Sequence, residues 1–251
     1  MKKENRFLLL SFISSLFLYL GFSFLPIQNW VSSLWKSNLI ESSFYFILLA
    51  LIFFDCRKYL RKEKTDHPSF FYSVPFLLVC SSNLLYVLCF RQKVTDSFNP
   101  RVFFTSLLVR IIKVRIEELL FRVLLLQFLD SFRKDTKQKR ILLIFIISLC
   151  FGLRHLVNLY GKSPLPVLEQ VGYTFFLSLF LTSYTLFYSS ILISILYHFL
   201  FNFLNQLIIT TFFTLNTDTY YLLFSIGAGL IVLLFYLICS IIRGKGKKKN
   251  A

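Results

Sequence analysis

Two acids and two histidines stand in this sequence where ionisable side chains are expensive. Glu117 and Glu118 lie in the run Leu108-Val-Arg110-Ile-Ile-Lys113-Val-Arg115-Ile-Glu117-Glu118-Leu-Leu-Phe-Arg122, while His155 and His198 lie in two later apolar stretches. An ionised group at the centre of a bilayer costs at least ~2.5–3.5 kcal/mol on insertion scales. Such residues persist where they face protein, water or each other. The chemistry open to them is proton transfer, metal ligation or carriage of a proton along a path. Helical spacing offers partners. Glu118 and Arg122 are four apart, as are Lys113 and Glu117, so each pair shares a face. Glu117 then points about 100° away from Glu118, free for another task. His198 and Asn202 are also one turn apart and can aim at one point. The bland alternative makes 108–122 a surface amphipathic helix or a structural charge ladder, and each histidine a satisfied structural group. The third histidine, His67, precedes Pro68 in a polar loop and is read as incidental.

The elements that must position these residues are membrane helices. Apolar residues make up 56% of the 251 residues, Phe alone occurs 32 times, and the mean hydropathy is +0.67. Soluble domains sit nearer 45–50% apolar. Eight apolar stretches, roughly 7–25, 39–54, 70–90, 102–130, 141–158, 166–184, 190–214 and 220–242, approach the length that crosses ~30 Å of hydrocarbon as a helix. They are continuously apolar, which does not fit the alternation of a membrane β-barrel. The expected fold is an all-α membrane protein of about eight transmembrane helices forming one compact domain. It has no internal repeat and no Gly/Pro-rich linker. The only low-complexity piece is the tail Gly244-Lys245-Gly246-Lys247-Lys248-Lys249.

The formal net charge of +16 would suggest nucleic acid in a soluble protein. Here Lys and Arg cluster between apolar spans, so the expected partner is membrane lipid and no nucleic acid. The clusters at Lys2–Arg6, Arg57–Lys64, Arg133–Arg140 and Arg243–Lys249 alternate with poorer loops, apart from a mixed third loop with Arg91, Lys93 and Arg101. An even number of spans with both ends cytoplasmic satisfies that pattern. The N-terminal run from Phe7 to Leu25 is long and lacks a small-residue cleavage site, so an uncleaved first span is expected. Cys56, Cys80, Cys89, Cys150 and Cys239 are odd in number and form no CxxC pair, which points to neither a disulfide framework nor a cysteine metal site.

Depth can be read from spacing. At ~1.5 Å per residue, Glu117 lies ~20 Å and His155 ~21 Å from the cytoplasmic ends of their spans. His198 comes out shallower, ~12 Å from Ser190. It reaches the others only if the break at 185–190 is itself sunk in the bilayer.

Three short motifs now stand in order on three separate spans: Glu117-Glu118-Leu-Leu-Phe-Arg122, Phe151-Gly-Leu-Arg-His155 and His198-Phe-Leu-Phe-Asn202. Together they resemble the signature of the CAAX-protease-like (CPBP) membrane proteins: Glu-Glu-x-x-x-Arg, Phe-x-x-x-His and His-x-x-x-Asn. The resemblance covers about residues 102–214, the expected catalytic core. Residues 1–101 read as variable N-terminal transmembrane helices, and 215–251 as a last helix with its basic tail. The stretch Thr185 to Ile191 lacks the small-polar break of many relatives.

The resemblance implies a helical membrane fold with a water-filled cavity and intramembrane peptide hydrolysis. Glu117 would be the general base, His155 would help hold the water, and His198 and Asn202 would donate to the oxyanion. Glu118 and Arg122 would be a supporting ion pair. Glu117, His155 and His198 could also hold zinc or another divalent metal as a two-His, one-carboxylate site. A metal-free glutamate mechanism suits the same residues, and no His-Glu-x-x-His helix decides between them. The family includes endopeptidases that remove three residues after a prenylated cysteine, and bacterial members resembling peptide-processing and bacteriocin self-immunity proteins. The partner would thus be a peptide or lipidated protein substrate. The compact size and the absence of an obvious organelle-targeting signal point to a bacterial cell membrane. Two alternatives are a non-catalytic immunity or chaperone-like protein on the same scaffold, and a proton-coupled transporter. The second usually shows a hydropathy repeat between halves, which is not seen here.

Overall fold

The computed structural model describes residues 3–25, 27, 31–57, 59–60, 98–131, 137–160, 163–188 and 191–208. Every extended regular element among them is helical. Helix α1 runs over Lys3–Ser23 and α2 over Leu34–Cys56. Helix α3, Pro100–Glu118, passes without interruption into a π-helical segment, Leu119–Leu125, and then into α4, Leu126–Asp130. Helix α5, Lys137–Leu153, tightens into a 3₁₀ segment over Arg154–Tyr160. Helix α6 spans Pro164–Tyr188, and α7 spans Ile191–Asn202 before a second π-helical segment, Phe203–Ile208.

Among the described residues, four stretches are long and apolar enough to cross a membrane: Glu4–Phe22, Leu34–Cys56, Gln138–Tyr160 and Pro164–Leu186. The expected span at 102–130 is one long helical rod, but its charges keep it out of that class. The expected spans at 70–90 and 220–242, with the basic tail, lie outside the described residues.

Burial is distributed as a bilayer demands. Phe17 is 77% exposed, and Leu10, Phe46, Phe54 and Leu192 also face outward. Inside, small polar residues are buried instead: Ser37, Ser42, Ser148, Ser178, Ser183, Ser194 and Thr182. Small residues let helix backbones approach closely where lipid supplies no hydrophobic drive for association. Helix α2 packs along α3, and α5 along α6. Helix α1 lies on the π-helical segment and α2, while α7 lies on α3 and α6. The apolar centre is Tyr45, Leu48, Ile52, Ile116, Leu120, Phe121, Leu124, Ile147 and Phe151.

Local chemistry explains the ends. Asn99 caps α3 by accepting from the backbone N–H of Arg101 and Val102 at 3.1 and 3.3 Å, and Pro100 fills the first helical position. Lys139 on α5 holds the far end of the rod through the Asp130 carboxylate at 2.9 Å and its carbonyl at 2.8 Å. Gly152 sits where α5 meets α6. A Cβ there would fall 2.9 Å from the Val171 carbonyl oxygen and 3.2 Å from the Phe175 Cβ, so the contact admits only glycine without displacement.

Candidate active site

The rod α3–α4 runs through the bundle rather than over its surface. Glu117 is 5% exposed, Glu118 0% and Arg122 2%, which rules out the surface amphipathic helix. Each of the three motif-bearing helices leaves α geometry beside its motif. The rod turns π-helical directly after Glu118, α5 turns 3₁₀ at Arg154, and α7 turns π-helical after Asn202. π-bulges and long 3₁₀ stretches are uncommon and concentrate at functional or strained positions.

The two glutamates face different company. Glu118 is enclosed. Its Oε1 accepts from His198 Nδ1 at 2.8 Å and lies 3.4 Å from Arg122 Nη1, and its Oε2 accepts from the Ser194 hydroxyl at 2.5 Å. Arg122 in turn donates to Ser178 at 3.0 Å and lies over the Phe151 ring at 4.4 Å. Phe151 is the hub of this packing. It meets Phe121, His155 and His198 edge-on, with ring centroids at 5.1, 5.9 and 5.6 Å.

Glu117 opens on a cavity of about 330 Å³ that His155, His198 and Asn202 also line. Its Oε1 accepts from the Tyr19 hydroxyl at 2.5 Å and from Arg154 Nη2 at 2.6 Å. Its Oε2 lies 3.5 Å from His198 Nε2. The same Arg154 Nη2 stands 3.1 Å from His155 Nε2. The wall continues outward through Glu41, Arg110 and Lys113, and round through Asn158, Gln170 and Thr174. The structure therefore brings Glu117, His155, His198 and Asn202 to one cavity, with Glu118 and Arg122 behind it.

One sequence expectation is corrected. Lys113 pairs with Glu41 of α2 at 2.5 Å, not with Glu117. Glu117 turns into the cavity, where Arg154 reaches it from α5, and Lys113 finds an acid on the neighbouring helix. His198 touches both glutamates from the second turn of α7, so the start of α7 lies nearer the site than the Asp130 end of the rod does.

Arg154, Tyr19, Ser178 and Ser194 were not singled out by sequence. Arg154 could have been found by its cost. A guanidinium in an apolar span needs an acid, and this one adjoins a motif histidine. Tyr19 gave no such sign, since tyrosine in a membrane helix is unremarkable.

A metal fits poorly here. Among the described residues no three His, Cys, Asp or Glu side chains are grouped to hold an ion. The reason is visible in the geometry: Arg154 Nη2, a cation, stands between Glu117 and His155, where a shared ion would have to sit.

Comparison with known families gives one result. Residues 99–204 match the family model described as Type II CAAX prenyl endopeptidase Rce1-like, so the resemblance carried by the three motifs holds. No curated protein and no solved structure matches the chain.

Proposed function

We propose, from the place of residues 99–204 in the Rce1-like family of type II CAAX prenyl endopeptidases, that this protein is an intramembrane endopeptidase. It hydrolyses a peptide bond of a membrane-associated protein or peptide with a water activated by Glu117. The observation that supports this most directly is the convergence of Glu117, His155, His198 and Asn202 on one polar cavity among apolar helices. Function is argued from such a site and not from the fold alone.

The chemistry follows from the geometry. Glu117 takes a proton from water as its oxygen attacks the peptide carbonyl, and His155 orients that water. Asn202 and His198 Nε2 donate to the oxyanion that forms. The Nδ1–H of His198 is committed to Glu118. Its Nε2 therefore donates when the ring carries a second proton, with Glu118 as the counter-charge beside it, as carboxylates orient imidazoles in other hydrolases. The proton held by Glu117 then passes to the leaving amine. We read the protein as a multi-pass protein of a bacterial cell membrane, and the Lys and Arg pattern supports both ends being cytoplasmic.

A second reading, a non-catalytic immunity scaffold, has one observation in its favour: Glu117 is already engaged by Arg154 and Tyr19. The two separate in one experiment. Purified protein in lipid is offered fluorogenic membrane peptides and prenyl peptides, with Glu117→Ala and His198→Ala as controls, with and without a chelator. Cleavage by wild type, lost in both variants and insensitive to the chelator, is expected. Equal behaviour of all three proteins, with protection of cells against a bacteriocin retained in the variants, would establish the scaffold reading instead.

A further inference from the structure

The two groups that engage Glu117 share one of its oxygens. The Tyr19 hydroxyl donates to Oε1 at 2.5 Å, and Arg154 Nη2 donates to the same Oε1 at 2.6 Å. Among the described residues, Oε2 has no nearer partner than His198 Nε2 at 3.5 Å, longer than an ordinary hydrogen bond. The carboxylate is thus fastened at one oxygen and open at the other. Tyr19 reaches it from α1, which lies before the family-matched segment 99–204. Its placement is built into that helix. Leu8, Ser11, Phe12, Ser15 and Tyr19 are buried on α1, at spacings of three and four that gather them on one face. The Phe12 ring meets Phe121 edge-on at 5.9 Å, and the Tyr19 ring packs on Tyr45 of α2 at 5.6 Å. Arg154 lies over the Tyr19 ring at 5.4 Å, and Tyr19 is 3% exposed. Packing on three sides therefore fixes where the phenolic oxygen stands.

We propose that Tyr19 is a positioning residue for Glu117: it holds Oε1 and so leaves Oε2 as the oxygen that takes the proton. A single anchor would let the carboxylate pivot about it and exchange its two oxygens. Two anchors, one from α1 and one from the 3₁₀ segment, hold it in one orientation, with Oε2 towards His198. The lone pairs of Oε2 then stay unspent, as a general base requires. The step this prepares is a single transfer. A water O–H bond breaks, its proton goes to Oε2, and the water oxygen bonds the peptide carbonyl carbon, whose π pair moves onto the carbonyl oxygen. A neutral hydroxyl binds a carboxylate less strongly than a second cation would, so it orients the base without neutralising it. The engagement of Glu117 by Tyr19 and Arg154 is then a preparation for catalysis and no obstacle to it. The site is incomplete without α1. The choice of Oε2 rests on the endopeptidase reading, whereas the hold of Tyr19 on Glu117 does not.

The test uses full-length protein in lipid nanodiscs. Infrared difference spectra between each protein and its Glu117→Gln counterpart isolate the Glu117 carboxylate band. In Tyr19→Phe that band is expected to move from its wild-type position, whereas a tyrosine that only packs would leave it unmoved. 3-Fluorotyrosine in place of Tyr19 keeps the ring and the hydroxyl but makes the hydroxyl a stronger donor. It is expected to move the band the opposite way, which covers a Phe variant that fails to fold. Kinetics on a fluorogenic membrane peptide read the consequence. Tyr19→Phe is expected to lower kcat about 10-fold, the worth of one hydrogen bond, with KM unchanged. Added to Glu117→Gln, it is expected to change the residual rate by no more than about twofold, because no base is left to place. If the band moves and no protein cleaves any peptide, the endopeptidase reading falls, and the hold of Tyr19 on Glu117 stands without it. An unmoved band, an unchanged kcat in a protein that cleaves, or an equal loss of rate with and without Glu117 overturns the proposal.

Discussion

On one side of α3, Glu118 is sealed off from the cavity, with hydrogen bonds from Ser194 and His198 and an arginine from its own helix beside it. One residue earlier, Glu117 faces the cavity, and Tyr19 of α1 and Arg154 beyond α5 reach it there. The contrast assigns different work to two identical side chains. A carboxylate closed in by packed partners holds a structure, because nothing can reach it. A carboxylate held by groups that reach in across a cavity can exchange them for water or substrate. His198 joins the two, with one ring nitrogen on each glutamate.

The comparison can be broken from either side. The largest effect is expected from Glu117→Gln. Cleavage should fall about 10²–10⁴-fold, the usual worth of a positioned general base, while the unfolding midpoint falls less than in Glu118→Ala, because the amide oxygen still accepts from Tyr19 and from Arg154, which lines the cavity. Glu118→Ala should do the reverse and act first on stability. It leaves Arg122 buried without a counter-charge, at a cost of about 3–5 kcal/mol, read as a lowered unfolding midpoint in detergent. Adding Arg122→Met should recover most of that loss, since an apolar replacement of a buried pair is often neutral. Ser194→Ala removes one hydrogen bond to a charged group and should cost about 1.5–3 kcal/mol in the same assay. Tyr19→Phe should be the mildest, about 1 kcal/mol, because water from the cavity can replace the lost hydroxyl. If Glu117→Gln and Glu118→Ala gave the same ratio of rate loss to stability loss, the division between them would be void.

Much of this was legible in residue types and order. The charges of 108–122 and the histidines at 155 and 198 are so costly in lipid that they mark the site without any structure. The all-helical character follows from uninterrupted apolar runs. The partners were harder to read. Apolar spans greasy on every face carry little phase, so nothing in the sequence shows that Tyr19 turns inward while Phe17, two residues away, faces out at 77% exposure. The same lack of phase hides the π-helical segments after Glu118 and Asn202. The choice of Glu41 by Lys113 depends on which helix lies alongside α3, and spacing within one helix cannot say that.

Gly152 has a mechanical meaning as well as a steric one. With no side chain between them, the backbones of α5 and α6 meet almost directly at this point, and two rods in such contact have little room to slide or splay. The wall that carries Arg154 and His155 should then behave as a stiff plate. A bulkier residue at 152 would push α5 and α6 apart and carry Arg154 and His155 with them.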